Sequence, residues 1–295
     1  MHLRAATRGS PLALWQTRHV QALLADQGVV LEPVVVSTTG DERSRTPIRE
    51  MGGKGVFVKE VQAAVIHGDA DIAVHSMKDL PARTPDPLVV AAVPKRADPR
   101  DALVGSRLED LRVGAKVATG APRRRAQLGS LRPDIEFHEL RGNIATRLSR
   151  VGEFDAVIVA VAALERLGLT PEIVEPQGVA KLLPQVGQGA LAIECRADAP
   201  EVVETLRAIQ HSESRAQTDV ERGFLAELGG DCDLPAAAYA ELVDDGQVWL
   251  RSMLSSPDGS TVLRDDCVEA WSTEVGRGAA RRLLDAGGSE LLSSM

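Results

Sequence analysis

Four polar side chains with the capacity for chemistry follow one short apolar run. Residues 72–74 predict a buried strand, and His75, Ser76, Lys78 and Asp79 come directly after it. In open α/β sheets, ligands bind at the carboxyl ends of strands. A lysine next to an aspartate could therefore hold an anion with one group and a developing cation with the other. The alternative is a solvated turn with an incidental ion pair, since most charged side chains are simply exposed to solvent.

Arginines accompany three predicted helix starts, each of which follows a predicted strand. The starts are residues 10–11, 119–122 and 142–143. A helix N-terminus offers N–H groups and partial positive charge to anions, and arginine binds a carboxylate through two parallel hydrogen bonds. Because arginine in a first turn opposes the helix dipole, the recurrence predicts a site for several carboxylates. Its arginines are Arg8, Arg123, Arg124, Arg141 and Arg147.

The composition limits the ligands of such a site. With 34 Lys and Arg against 42 Asp and Glu, the net charge is -8, and only 3% of residues are aromatic. Both values disfavour general affinity for nucleic acid or anionic membranes, although the Arg123–Arg125 run alone could be a nucleic-acid or solvated patch. Consecutive helical residues lie about 100° apart, so Arg125 and Arg150 are predicted to point away from the site.

The three cysteines differ in their sequence surroundings. Cys195, Cys232 and Cys267 are far apart and form no CxxC pair, which argues against a disulfide framework and against zinc. Cys195 belongs to an apolar strand and should be inert there. Cys232 lies in a glycine-bearing loop, where a chemical role and a structural one are both open.

The polar stretch 41–54 has no clear periodicity and ends in glycines. It could be a mobile lid or an ordinary surface loop.

The elements that would position these residues form two α/β units. Strands are predicted at 3–6, 34–36, 72–74 and 88–93, then at 117–118, 135–140 and 157–161, with a returning strand at 191–194. The first helix should begin at Ser10–Pro11 and bury an apolar stripe, and the second lies around 57–67. That stripe comprises Leu12, Trp15, His19, Leu23 and Leu24. This order predicts two parallel-sheet domains joined by two crossover strands, with a cleft between them.

A different pattern follows Cys232. Alternating stretches at 236–243, 248–254 and 261–268 predict an antiparallel meander, and 270–286 predicts a closing helix. We therefore expect three domains: 1–95 with 190–211, 98–186, and 213–295. No apolar run is long enough to span a bilayer, and no signal peptide precedes the first strand, so the expected location is the cytoplasm.

Several motifs resemble those of one family, porphobilinogen deaminase (hydroxymethylbilane synthase), over essentially the whole length. They are residues 6–15, 52–60, 70–79, 140–143 and 186–190, and Cys232 followed by Pro235. The resemblance implies two periplasmic-binding-protein-like (type II) lobes joined by a double crossover, plus a small α+β C-terminal domain. It also implies a transferase of haem and tetrapyrrole biosynthesis. Four porphobilinogens would be joined head to tail on an enzyme-bound dipyrromethane primer, each losing ammonia, and hydroxymethylbilane would then be released by hydrolysis.

The resemblance also implies roles for individual residues. Cys232 would hold the dipyrromethane through a thioether, and Asp79 would be the catalytic carboxylate, stabilising the cationic azafulvene formed as ammonia leaves. Lys54, Phe57 and Lys59 would contact substrate at the lid. The remaining cofactor contacts would come from Arg8, Ser10, Lys78, Asp79, Thr119, Arg123, Arg124, Arg141, Arg147, Gln188 and Gly189. The implied partner is porphobilinogen, with no nucleic acid, membrane or metal, and the implied state is a monomer.

The chain departs from the family pattern at three places, and two other functions remain open. Gly120–Ala121 stands where the family usually has two serines, Asp231 where it has glycine before the cysteine, and Ala237 where it has glycine. These departures motivate a catalytically silent paralogue as one alternative. The other is a solute-binding protein, which two α/β lobes would also suit, although such proteins need neither the Lys78–Asp79 pair nor a loop cysteine.

Overall fold

The structure is a computed structural model that describes residues 1–38, 58–229, 234–256 and 258–293. Contacts between Cα atoms divide the chain into two compact units. The first comprises Met1–Ala97 and Gly189–Arg215, and the second comprises Asp98–Gln188 and Ala216–Met295. The chain thus leaves the first unit after Ala97 and returns to it after Gln188, as the two predicted crossovers require.

The first part of the chain alternates strands and helices. In order, the elements are β1 (His2–Arg8), α1 (Pro11–Ala25), β2 (Val30–Val36), α2 (Lys59–Ile66), β3 (Ile72–Ser76) and β4 (Leu88–Ala92). The next part repeats this pattern with β5 (Asp101–Val104), β6 (Lys116–Ala118), α3 (Pro122–Leu131), β7 (Glu136–His138), α4 (Ile144–Leu148), β8 (Ala156–Ala160), α5 (Val161–Leu167) and β9 (Val174–Pro176).

The last part returns to the first sheet and then builds a third one. Its elements are β10 (Leu191–Arg196), α6 (Pro200–Arg207), α7 (Ser212–Glu227), β11 (Ala236–Val243), β12 (Gln247–Ser255), β13 (Val262–Ala270), α8 (Glu274–Leu283) and α9 (Ser289–Ser293). The predicted meander is confirmed, since β11, β12 and β13 pair antiparallel in that order. The predicted helix over 270–286 is wrong at its start, because Ala270 still pairs with Gln247 in the ladder.

Both five-stranded sheets are mixed, so the expectation of purely parallel sheets is wrong. The first has the order β2-β1-β3-β10-β4, in which β1 runs parallel to β2 and β3 while β10 runs antiparallel to β3 and β4. The second has the order β7-β6-β8-β5-β9, in which β5 is antiparallel to both of its neighbours. In each sheet the antiparallel strand directly follows a crossover, so the returning chain enters from the opposite end and needs no helical connection.

The core of the first unit shows which face of α1 is buried. Its buried positions are Ala13, Gln16, Thr17, Val20 and Leu24. Of the predicted stripe, Leu24 is buried and Leu23 packs half-buried against the same core. Leu12, Trp15 and His19 lie on a neighbouring, partly exposed face, where the stripe is wrong. Trp15 and His19 instead stack on each other on the partly exposed side, with ring centroids 5.2 Å apart.

Two of the predicted helix starts carry a side-chain cap. The Oγ of Ser10 accepts a hydrogen bond from the Ala13 amide, with Pro11 at the first helical position. Asn143 Oδ1 accepts one from the Thr146 amide at 2.9 Å. These caps fix where α1 and α4 begin, at the carboxyl ends of the preceding strands.

The α/β class is confirmed, with two mixed five-stranded sheets and a small C-terminal sheet that is covered by a helix. No helix in the described ranges is long and apolar enough to cross a membrane.

Candidate active site

A pocket in the first unit lies where β1 and β3 end. The space between its walls, open solvent included, is about 400 Å³. Because β1 and β3 are parallel neighbours, their carboxyl ends meet at the same edge of the sheet. The lining residues are Arg8, Ser10, Leu12, Ala13, Gln16, Val58, Val74, His75, Ser76 and Asp79. The pocket therefore contains five of the residues singled out in the sequence, namely Arg8, Ser10, His75, Ser76 and Asp79.

Asp79 is held by a tight turn that follows β3. Met77 is buried, and its amide donates a hydrogen bond to the carbonyl of Ala190 at 3.0 Å. The Leu80 amide then donates to the Met77 carbonyl at 3.1 Å, which closes a single helical turn over Met77–Asp79. The Asp79 side chain is half-buried, and no hydrogen bond to its carboxylate comes from the described residues. A carboxylate fixed by its backbone and open to a pocket can stabilise a positive charge there.

One polar pocket residue, Gln16, is not predicted from the sequence, and the resemblance assigns no role to His75 or Ser76. Gln16 reaches the pocket from the buried face of α1, and its Nε2 donates to Ser76 Oγ at 2.7 Å. The prediction overlooked Gln16 because it assigned the buried stripe to the wrong face of α1. The sequence does contain a signal for Gln16, because it lies three residues after Ala13 and therefore on the same, buried face of α1.

Lys78 and Lys59 lie on surfaces of the same unit, outside the pocket lining. Lys78 is half-buried between Met77 and Asp79, whereas Lys59 is exposed at the start of α2. Lys54, Phe57, the predicted lid over 41–54 and Cys232 lie outside the described residues.

The second unit contains a buried cluster of charged groups around Asp101. Arg123 Nη1 lies 2.6 Å from Asp101 Oδ2, and Arg124 Nη2 lies 2.6 Å from Asp101 Oδ1. The two arginines are 3% and 5% exposed, and Asp101 is fully buried. Burial alone would raise the pKa of the Asp101 carboxyl, but the two guanidinium groups outweigh it and hold that pKa well below its ordinary value.

Further hydrogen bonds fix the two guanidinium groups. Arg123 also donates to the Leu183 carbonyl at 2.9 Å and to Gln188 Oε1 at 3.2 Å, while Arg124 donates to the Ile158 carbonyl at 3.0 Å. The Nε atoms of both arginines are buried and have no hydrogen-bond partner among the described residues. The cluster thus carries two positive charges against one carboxylate and keeps unused donors. Arg125, on the next helical position, is exposed, and Arg150 pairs with Glu153 at the surface.

Gln188 and Gly189 belong to the segment where the chain returns to the first unit. Gln188 is fully buried, and its Nε2 donates to the Pro99 carbonyl at 2.7 Å and to Asp101 Oδ1 at 2.8 Å. Gly189 has a φ of 86°, and its carbonyl accepts a hydrogen bond from the Ala97 amide. Both residues therefore fix the backbone of the crossover segments.

Thr119 begins the loop into α3. It is 5% exposed, its amide donates to the His138 carbonyl at 2.9 Å, and its Oγ1 accepts from the Ala121 amide at 3.2 Å. At the next position, a Cβ on Gly120 would lie 2.7 Å from the Leu140 carbonyl oxygen. The backbone therefore requires glycine here, which gives a physical reason for one of the three departures from the family pattern.

Arg141 and Arg147 flank the start of α4. Arg141 Nη2 pairs with Glu139 Oε1 at 2.9 Å, and its buried Nε has no hydrogen-bond partner among the described residues. Arg147 Nε donates to the Gly142 carbonyl at 2.8 Å, and Gly142 takes a φ of 107° that favours glycine. Since β6 and β7 are parallel neighbours, Arg141 and Thr119 follow strands that end at the same edge of the second sheet.

Two solved structures of binding proteins are distantly similar to this chain. The methionine-binding protein MetQ is 15% identical, with a TM-score of 0.44 over 72% of this chain and 92% of that chain. A TRAP periplasmic solute-binding protein from Ralstonia eutropha H16, solved with bound acetolactate, is 13% identical, with a TM-score of 0.41 over 99% of this chain and 95% of that chain. At these values the resemblance says nothing about ligands.

Two family models match nearly the whole chain. "Porphobilinogen deaminase, dipyromethane cofactor binding domain" matches residues 3–204, and "Porphobilinogen deaminase, C-terminal domain" matches residues 216–285. Both models describe the same enzyme, and together they include Asp79 and all the arginines of the predicted carboxylate site. The chain therefore belongs to the porphobilinogen deaminase family.

Proposed function

We propose that Asp79 is the catalytic carboxylate of this family member. The family is a transferase that makes hydroxymethylbilane from porphobilinogen on a dipyrromethane cofactor. When the aminomethyl group of porphobilinogen loses ammonia, the C–N electron pair leaves with nitrogen and positive charge develops on the remaining carbon and pyrrole ring. The carboxylate of Asp79 would stabilise that charge, and the observation that carries this proposal is its fixed position facing the pocket with no hydrogen bond from the described residues.

The donors present fit a cofactor that bears carboxylates. Each porphobilinogen unit carries an acetate and a propionate, so a dipyrromethane presents several anionic groups. Three buried guanidinium Nε atoms, those of Arg123, Arg124 and Arg141, have no hydrogen-bond partner among the described residues and could donate to such groups. When bound, the dipyrromethane supplies the pyrrole carbon to which substrate units are joined.

The proposed contacts are those expected from the resemblance. Arg8 and Ser10 would act in the pocket, with Lys78 beside Asp79. In the second unit, Thr119 would donate its hydroxyl proton while its oxygen accepts from Ala121. The remaining proposed residues are Arg123, Arg124, Arg141, Arg147, Gln188 and Gly189 for the cofactor, and Lys54, Phe57 and Lys59, with the lid over 41–54, for the substrate.

We further propose that Cys232 anchors the cofactor through a thioether. Burial raises the pKa of the Cys195 thiol to about 11, with a smaller effect from the Glu194 carboxylate beside it. Burial also raises the pKa of Cys267 to about 11. Since the thiolate is the nucleophile, both thiols are poorly reactive near neutral pH, which leaves Cys232 as the candidate.

Intact-mass measurement with peptide mapping tests the anchor. We expect the purified protein to carry the mass of two pyrrole units on the peptide containing Cys232, and we expect Cys232→Ser to have the bare chain mass and no activity. The same mass on Cys195 or Cys267, or full activity in Cys232→Ser, would refute the assignment. A bare wild-type chain that also makes no product would instead favour the silent paralogue or a solute-binding protein.

We also propose the domain bounds, the oligomeric state and the location of the protein. The domains would be 1–95 with 190–211, 98–186, and 213–295, and the protein would act as a cytoplasmic monomer without metal, nucleic acid or membrane. The contact units support the first boundary, because Met1–Ala97 and Gly189–Arg215 group together. Gel filtration with light scattering tests the monomer.

A further inference from the structure

A carboxylate outside the proposed set of site residues pairs with one of the arginines proposed to bind the cofactor. Glu139 follows β7, and its Oε1 lies 2.9 Å from Arg141 Nη2. Both residues belong to the second unit. The Glu139 side chain is 63% exposed, whereas that of Arg141 is 29% exposed. Glu139 is therefore the partner that can turn into solvent, and Arg141 is the partner that the protein encloses.

The register of the second sheet places Glu139 at the edge where the proposed cofactor residues begin. β6 and β7 are parallel, and Ala118 pairs with His138 at their ends. Thr119 and Glu139 are thus the first residues beyond the two strands. The Thr119 amide donates to the His138 carbonyl at 2.9 Å, which extends the pairing by one more bond. Glu139 therefore leaves the same sheet edge as Thr119 and Arg141.

A glycine provides the space that the carboxylate occupies. A Cβ on Gly120 would lie 3.3 Å from Glu139 Oε1, which is closer than such atoms ordinarily approach. Although most of the Glu139 side chain is exposed, this oxygen thus lies against the loop that leads into α3. A side chain at position 120 would crowd it. The bare backbone at Gly120 therefore lets the carboxylate lie between this loop and Arg141.

The Glu139 contact takes part of a guanidinium edge that is otherwise unused. A guanidinium binds a carboxylate bidentately through two neighbouring N–H groups. In Arg141, Nε is buried without a hydrogen-bond partner among the described residues, and its neighbour on that edge is Nη2. Glu139 Oε1 lies at this same Nη2. A ligand carboxylate that binds the edge therefore meets Glu139 at one of its two donors.

Exposure makes Glu139 replaceable at Arg141. Two carboxylates at one donor repel each other, so Glu139 must turn away when a ligand carboxylate takes both nitrogens. Exposed ion pairs contribute little to stability, and water can solvate the released carboxylate. The Asp101 carboxylate, which pairs with Arg123 and Arg124, is in contrast fully buried and cannot be released in this way.

We propose that Glu139 competes with the cofactor for Arg141. Its carboxylate occupies the guanidinium in the cofactor-free protein and leaves Nη2 when a carboxylate of the dipyrromethane binds. Glu139 therefore slows the loading of the cofactor, and removing its charge should improve loading rather than impair it. The inference rests on the proposed role of Arg141 in cofactor binding.

Loading of the cofactor-free protein tests the competition. Full-length protein from cells that cannot make porphobilinogen is mixed with porphobilinogen, and intact mass follows the addition of two pyrrole units. Glu139→Gln keeps the side-chain length but removes the charge, so loading should become about two- to fivefold faster, the range that an exposed ion pair allows. The matched control, Glu109→Gln, removes an exposed carboxylate from the loop between β5 and β6 and should load at the wild-type rate.

Modification of Arg141 by phenylglyoxal, read by peptide mapping, measures the contact without turnover. This reagent attacks guanidinium nitrogens that are not engaged. In cofactor-free protein, Arg141 should react at least about twofold faster in Glu139→Gln than in wild type, because its Nη2 is released. In the two holoenzymes, where the cofactor holds the guanidinium, Arg141 should react slowly and at equal rates.

Three results would overturn the inference. One is an equal loading rate in wild type and folded Glu139→Gln. Another is an equal gain in Glu109→Gln, which would show that the net charge alone matters. The third is unchanged reactivity of Arg141 in cofactor-free Glu139→Gln, which decides the question even if this variant loads poorly. If no protein acquires the cofactor, wild type included, the proposed function is refuted and the inference falls with it, so the two failures are distinguishable.

Discussion

At the scale of single residues, the arginines differ in how much of their hydrogen-bonding capacity the protein itself uses. Arg123 and Arg124 share the Asp101 carboxylate and also donate to backbone carbonyls. Arg141 pairs with the exposed Glu139 and keeps a buried Nε without a partner among the described residues. Since Arg141 makes fewer of these contacts than Arg123 or Arg124 within the described ranges, replacing it should affect cofactor binding more directly than folding.

Arg141→Lys should lower the amount of dipyrromethane bound per protein, or slow product formation, by about tenfold. The reason is that lysine cannot form the planar bidentate contact that arginine makes with a carboxylate. Intact mass and the rate of product formation measure the two effects. Arg125→Lys, at an exposed position of α3, is the matched control and should behave as wild type. Normal cofactor content together with a normal rate in Arg141→Lys would show that its guanidinium is only surface charge.

Asp101 allows a prediction on pH and stability. Its pKa is lowered in the folded state, so its contribution to the free energy of unfolding is present above its ordinary value of 3.8. That contribution is lost as the pH falls from there through the lower folded-state pKa. Asp101→Asn should cost about 3–5 kcal/mol near neutral pH, because it leaves two buried guanidinium groups without a counter-charge, and it should flatten the acid loss of stability.

Urea unfolding over a range of pH values measures both effects. Asp110→Asn removes an exposed carboxylate from the same unit and serves as the control, with little expected change. An Asp101→Asn protein as stable as wild type would show that the buried cluster is not held by this carboxylate.

At the scale of elements, local capping signals predicted helix starts better than hydrophobic periodicity predicted the buried face of α1. Ser10 with Pro11, and Asn143, marked helix starts through side chains that bond to nearby amides, a short-range effect that needs no tertiary information. The buried face of α1 depends instead on what packs against it, so Trp15 misled the prediction and Gln16 was missed. Strands β5 and β9 were also missed, since each is only three or four residues long and is specified by its neighbours.

The loop between β6 and α3 gives a prediction on the departures from the family pattern. Gly120→Ser should destabilise the protein by about 1–3 kcal/mol, because its Cβ would collide with the Leu140 carbonyl oxygen. Thermal unfolding measures the loss. Ala121→Ser, at the neighbouring half-buried position, adds the same hydroxyl without adding a Cβ and should be nearly neutral. Equal melting temperatures for the two variants would show that the loop yields easily at Gly120.

At the scale of the whole molecule, the cofactor should contribute to stability. A group that is bound only in the folded state raises the free energy of unfolding, so Cys232→Ser should melt at a lower temperature and be cleaved sooner by protease than the holoenzyme. Cys267→Ser is the control, because it should retain the cofactor. If cofactor-free Cys232→Ser melted at the holoenzyme temperature, the dipyrromethane would not contribute to stability.

The family could be assigned from the sequence because motifs such as residues 70–79 and 140–143 are local and specific. The sequence could not predict that Asp101 would neutralise part of the arginine cluster, since those residues are 22 and 23 positions apart and meet only in the folded sheet. The approach of Glu139 to Gly120 is likewise set by the pairing of β6 with β7.

The role of Asp79 is tested most directly by rapid-quench measurement of hydroxymethylbilane formation by cofactor-loaded Asp79→Asn. With the fold and the cofactor retained, the rate should fall by at least about a thousandfold, because an amide cannot stabilise the developing cation as a carboxylate does. Asp69→Asn, which removes an exposed charge from the same unit, should keep the wild-type rate. A near wild-type rate in Asp79→Asn would contradict the role assigned to this carboxylate.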